Sequence, residues 1–185
     1  MTKKIIRYGL IFVFFGYSAC AESYDDSVLE IVSKILPRLV LMSSQKNTID
    51  NRIGICVAHE PSDTEEADTL IRKIRTNYPT GIKGYPLVLS SYEYKNVAAC
   101  QKNQIAFLFD SNGETIKKAV RILHKNGVLS MSYDPIYLEN GVESSLFIGR
   151  KVTPYIHFDV LQQNGIEIDN ALLQISKIYS QRDGK

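Results

Sequence analysis

QIAFLFDSNGETIKKAVRILHKNGVLSMSY, residues 104–133, decides the fold. Gln104 to Asp110 is a short apolar run that suits a buried strand. Ile116, Ala119, Val120 and Leu123 then recur at helical spacing, which predicts one buried stripe of a helix. Ser111 and Glu114 fit a capping box at its start, and Asn126-Gly127 stops it. Val128 to Tyr133 is extended and apolar again. A strand, a helix and a second strand in succession point to a crossover unit whose two strands run parallel.

The same rhythm extends upstream. IGICVA at 53–58 reads as a buried strand, and YPLVLSS from Tyr85 as another. Between them Ala67, Leu70, Ile71, Ile74 and Tyr78 share a helical face, with Ser62 and Glu65 as a capping box and Gly81 closing the helix. Val28, Ile31, Val32, Ile35 and Leu39 predict an earlier helix with Pro37 as a kink, and Asp25 and Asp26 suit its positive end. Downstream, SSLFIGRKVTPYIHFD reads as a hairpin turning at Gly149-Arg150-Lys151. A last helix is expected from Asp169, with Leu172, Ile175 and Tyr179 on one side. The expected fold is a single compact α/β domain: a mostly parallel central sheet, helices on both faces, and a C-terminal hairpin and helix.

The chain opens with MTKKIIRYGLIFVFFGYSACA, a basic start, an apolar run and small residues at Ala19 and Ala21. This is the pattern of a secretory signal peptide over residues 1–21, leaving 22–185 as the domain. The apolar run is about ten residues, against roughly twenty for a membrane span. Lipidation at Cys20 is the alternative, and Tyr17 disfavours it, because an aliphatic residue is usual three positions before a lipidated cysteine. Three of the 22 basic residues, Lys3, Lys4 and Arg7, lie in that leader; without them 19 basic face 20 acidic residues, a net of −1. No positive field remains to gather phosphates, so nucleic acid and anionic lipid are not expected as partners.

Export places Cys56 and Cys100 in an oxidising compartment, where they are either a disulfide or two buried free thiols. Cys56 as a nucleophile beside His59 is disfavoured, because the middle of IGICV points into a packed sheet. In a parallel sheet ligands bind beyond the carboxyl ends of the strands, and His59, Glu60, Asp110, Ser111, Tyr133 and Asp134 fall there as a candidate crevice. Three of them have a plain structural reading too: Ser111 as a helix cap, Asp134 before Pro135 as a turn, His59 as an exposed loop residue. His124 fits the last turn of its helix, and His157 a polar-facing strand position. The eleven glycines form no nucleotide-binding cradle, there is no G-x-S-x-G elbow, and the three histidines are scattered. No catalytic residue, metal or cofactor is therefore expected; a hydrolase using His59 with Glu60 or Asp134 is the enzymatic alternative.

From about Arg52 to Tyr179 the chain resembles the YfiR family of periplasmic regulatory proteins. The carriers are RIGICVA, IKGYPLVLSS, AACQKNQIAFLFDS and the stretch from GVLSMSYDPIYLENG to NALLQISKI, including Gly165-Ile166-Glu167-Ile168 and Leu172-Leu173. It departs from the family pattern at His157, Pro154 and Asn140-Gly141. The resemblance implies an exported α/β domain that restrains an inner-membrane sensor protein, a diguanylate cyclase or sensor kinase, by protein–protein contact, and that forms homodimers in many members. It also implies a structural, redox-sensitive bridge between Cys56 and Cys100. The competing expectation is a periplasmic receptor holding a small molecule at the crevice.

Overall fold

The computed structural model describes residues 24–44 and 51–180. The expected signal peptide and Cys20 lie outside them. In chain order the elements are α1 (Asp26–Leu41), β1 (Ser43–Ser44), β2 (Ile53–His59), α2 (Thr64–Asn77), β3 (Leu87–Glu93), β4 (Ile105–Leu108), α3 (Gly113–Lys125), β5 (Leu129–Ser132), β6 (Ser144–Ile148), β7 (Val152–His157), α4 (Phe158–Gln163), β8 (Glu167–Ile168), α5 (Asn170–Ile175) and β9 (Lys177–Tyr179). Short 3-10 segments at Pro61–Asp63, Tyr94–Lys102 and Pro135–Asn140 join them.

Seven strands form one sheet in the order β3-β2-β4-β5-β6-β7-β9, and β1 pairs with β8 in a small ribbon. Every pairing in the large sheet is parallel except β6 with β7, the expected hairpin. The pleat sorts β2 cleanly. Ile53, Ile55 and Val57 join the core under α1 and α2, while Cys56 and Ala58 join a second core under α3 and the Tyr94–Lys102 segment. Alternate residues point to opposite faces, so a strand buried along its whole length implies cover on both sides. Leu29, Val32, Leu36 and Val40 of α1 and Leu70 and Ile74 of α2 fill the first core. The expected α3 stripe, Ile116, Ala119, Val120 and Leu123, fills the second.

Local signals were overruled at several points. Pro37 lies inside α1 and is buried, and it lacks the N–H that would bond the carbonyl four residues back. Neither expected capping box forms. Ser62 Oγ donates to Asp63 Oδ1 instead, because the Pro61–Asp63 turn shifts the start of α2 to Thr64. At α3 the cap is Asn112, whose Oδ1 accepts from Thr115 N–H at 2.9 Å, and this frees Ser111 for another bond. Gly81 does close the turn after α2: its φ is +86°, and a Cβ there would lie 2.0 Å from the Tyr85 carbonyl oxygen.

The C-terminal helix expected through Tyr179 stops at Ile175. Ser176 turns extended, and Lys177–Tyr179 adds to β7 as the edge strand. The extended stretch expected to reach Asp159 ends at His157, where α4 begins. His157 is 4% exposed, not the polar-facing residue that alternation suggested: the Tyr179 ring of β9 packs against its ring, tilted by 59°, with centroids 5.1 Å apart. His59 is likewise buried at the end of β2 and not in an exposed loop.

Candidate functional site

Counting only the first five strands of the large sheet in chain order, the arrangement is 2-1-3-4-5. The chain leaves β2 through α2 on one face and leaves β4 through α3 on the other, so the crossovers diverge between these two strands. A crevice is expected outside their carboxyl ends. His59 and Glu60 end β2, and Asp110 and Ser111 follow β4 by two and three residues, so four of the six sequence candidates meet at this point. Tyr133 and Asp134 follow β5, one strand further along.

The polar groups of the crevice are turned on one another. Ser111 Oγ donates to Glu60 Oε1. His59 Nδ1 lies 2.7 Å from the Glu60 carbonyl oxygen; a carbonyl can only accept, which puts the proton on Nδ1. Asp110 Oδ1 accepts from Tyr24 Oη at 2.8 Å. The Tyr24 ring packs 4.4 Å from the Phe109 ring and 5.9 Å from that of Tyr133. Tyr137 Oη donates to the Ser111 carbonyl at 2.8 Å and accepts from Ser111 N–H at 3.2 Å, and Tyr94 Oη donates to the Phe109 carbonyl. Asp134 stands apart, because its carboxylate caps the Pro135–Asn140 turn through Ile136 N–H.

Burial pushes the Tyr24 hydroxyl far above its ordinary range, and the negative charge of Asp110 adds to the effect. Burial raises Tyr94 and Tyr137 in the same direction. All three phenols therefore stay protonated and act as donors. Ser111 gives its proton to a carboxylate, so the serine–imidazole pair that nucleophilic hydrolysis uses is not assembled here. Among the described residues no group of three or more His, Cys, Asp or Glu is placed to hold a metal ion.

Two further features escaped the sequence reading. Glu143 is fully buried at the start of β6. Its Oε2 accepts from Ser130 N–H at 2.5 Å and Ser130 Oγ at 2.9 Å, its Oε1 accepts from Asn164 Nδ2 at 2.8 Å, and His124 Nε2 lies 3.3 Å away. This network ties β5 to β6, where only two residue pairs are in register. A lone acid between Val142 and the β6 serines was the available signal.

The second feature is the hairpin and its edge. Phe147, Val152 and Ile178 are 52%, 37% and 49% exposed. Phe147 and Tyr155 share a face with ring centroids 6.3 Å apart, and Lys177 Nζ sits 5.4 Å above the Tyr155 ring. By register Phe147 and Tyr155 lie on one face of this end of the sheet and Val152 and Ile178 on the other; exposed large apolar groups are a usual mark of contact surfaces. Away from both features, Cys56 and Cys100 are joined as a fully buried disulfide with Cα atoms 5.5 Å apart. It fastens the Tyr94–Lys102 segment to β2. Among the described residues no helix is long and apolar enough to cross a membrane.

No protein-family model matches the chain, and no curated protein matches it. Solved structures share its fold. A conserved domain protein from Vibrio cholerae O1 biovar eltor superposes with a TM-score of 0.59 at 14% identity, over 82% of this chain and 60% of that one. The ABC domain from Streptococcus pneumonia, solved in complex with L-tryptophan, gives 0.59 at 11% identity, over 80% and 60%. The chain thus spans about 60% of the length of each.

Proposed function

We propose that this chain is an exported binding and regulatory module that works in the periplasm, restraining a membrane-bound signalling protein of the diguanylate-cyclase type by docking on its sensor portion. The observation that carries this reading is the exposure of Phe147, Val152 and Ile178 on β6, β7 and β9, the last three strands at one end of the sheet. The crevice, by contrast, spends its polar groups internally. A buried disulfide suits an oxidising compartment. The module needs no active site: it shifts its receptor only so far as it binds one receptor state better than the other.

The test is genetic and biochemical together. Deleting the gene should raise cyclic-di-GMP in the host, and the wild-type gene should restore it. A Phe147→Ser, Ile178→Ser variant that keeps its melting temperature should fail to restore it. Unchanged cyclic-di-GMP on deletion sinks the cyclase reading, and full rescue by the variant sinks the docking edge.

A second reading, a small-molecule receptor, draws support from the structural neighbour solved with L-tryptophan. It requires Tyr24 to leave Asp110 and open the crevice. A panel of free amino acids, L-tryptophan included, should then raise the melting temperature as ligand is added; no shift across the panel refutes it.

A further inference from the structure

The large sheet ends on β3, and among the described residues no strand pairs with its outer side. β3 keeps parallel register with β2 over all seven of its residues, Leu87 to Glu93. Ile53 N–H donates to the Pro86 carbonyl at 2.9 Å, and in a parallel ladder the main chain of alternate residues turns to the same neighbour. Val88, Ser90 and Tyr92 therefore face β2, while Leu87, Leu89, Ser91 and Glu93 present their N–H and C=O groups outward. Edge strands are normally shielded by brevity, by Lys or Pro, or by a bulge; Leu87–Glu93 has none of these. Alongside it lies a cleft of about 350 Å³, lined by Arg75 of α2, by Tyr78 and Pro79 just after that helix, and by Pro86, Leu87 and Leu89. No residue of β2 lines it, so it opens on the outer side of β3.

We propose that β3 and this cleft bind an extended segment of a partner protein, which adds to the sheet as a further strand and brings an acidic side chain to Arg75. The charges suit such a segment. From Arg75 to Tyr92 the chain carries two cations, Arg75 and Lys83, and no acid. Arg38 reaches the same place, donating from Nε to Tyr78 Oη at 3.2 Å. Among the described residues no carboxylate pairs with Arg75. Side chains two apart on a strand share a face, so an acid that reaches Arg75 sets an apolar neighbour two places away against Leu87 and Leu89. Main-chain bonds to the edge supply affinity, and the cleft selects the side chains. A second copy of this chain fits less well: its own Leu87 and Leu89 are packed on its own core and cannot enter the cleft. The site lies at the opposite end of the sheet from β7 and β9 and stands whether or not the docking reading holds.

The test pans a displayed library of random linear peptides against the oxidised domain and follows the selected peptides by amide hydrogen exchange. The selected family should carry Asp or Glu two places from an apolar residue. In the free domain the outward amides of Leu89 and Ser91 should exchange faster than those of Val88 and Ser90, and a bound peptide should slow them. N-methylation of the peptide amides that face β3 should abolish binding, whereas N-methylation of those that face away should leave it. Arg75 is exposed, and an Arg75→Glu variant with an unchanged melting temperature should bind roughly tenfold more weakly, because an exposed ion pair is replaced by a repulsive one. Selection of no peptide, selected peptides without an acid, or indifference to N-methylation or to Arg75→Glu overturns the proposal. So does a stable dimer in sedimentation whose outward amides are already protected, which assigns the edge to a second copy.

Discussion

Removing the bridge should cost this domain a large part of its stability. Cys56 sits in the middle of β2 and Cys100 in the 3-10 segment that covers it, 44 residues later. Holding those points together removes loop entropy from the unfolded chain, worth about 4 kcal/mol for a closed loop of this length. Domains of this size are stable by only about 5 to 15 kcal/mol in total. Each kcal/mol moves the melting temperature by about 2 to 4 °C, so the Cys56→Ala, Cys100→Ala variant should melt about 8 to 16 °C below the oxidised protein.

Scanning calorimetry of the two proteins, with and without reductant, reads this directly. The wild type in reductant should approach the variant, and the variant should ignore reductant. Hydrogen exchange adds a local signature: the amides around Val97 to Lys102 should lose protection first, since this segment is fastened to β2 through Cys100. If the variant melts within a degree or two of the oxidised wild type, the bridge is dispensable, and with it any control of the folded population by redox state.

Burial holds His157 below its ordinary value of 6.5, so the unfolded chain takes up this proton first. Stability is complete above about 6.5 and falls as the pH drops below it; urea midpoints about one unit either side should show the loss, and His157→Gln should flatten it. Glu143→Gln replaces one acceptor facing Ser130 or Asn164 with a donor, at a cost of roughly 2 to 4 kcal/mol in urea unfolding. Tyr24→Phe keeps the ring against Phe109 but removes the donor to Asp110, which should cost about 1 kcal/mol by the same measurement.

The alternation of strand and helix was legible because each piece of it obeys a strong local period. α3 shows the case well: its four stripe residues are the four that the second core buries. The pieces that escaped are those whose conformation is set from outside. Lys177–Tyr179 continues a helical pattern on paper, yet the open edge of β7 offers it main-chain partners, and Ser176 breaks the helix before it. The Tyr94–Lys102 segment follows neither the helix nor the strand period: its buried residues Tyr94, Val97 and Cys100 recur every third position, the period of a 3-10 run, and its cover comes from α3 and the bridge. Both capping boxes failed for the same kind of reason, a neighbouring Asp63 or Asn112 taking the cap position.

At the crevice, topology could be read from the strand order, but occupancy could not. Polar residues after β2 and β4 must lie at the sheet's carboxyl end wherever the sheet is parallel. Whether they face a ligand depends on residues remote in the chain. Tyr24 comes from the segment before α1, Tyr94 from the turn after β3 and Tyr137 from the turn after β5, and each delivers one protonated hydroxyl to the switch point. A ligand entering here must first displace Tyr24, giving up its hydrogen bond to Asp110 and its contact with Phe109. Its apparent affinity falls in proportion to the fraction of molecules in which that side chain is already withdrawn. The exposed hairpin edge carries no such penalty, which is why a docking surface is the stronger reading of the same sheet.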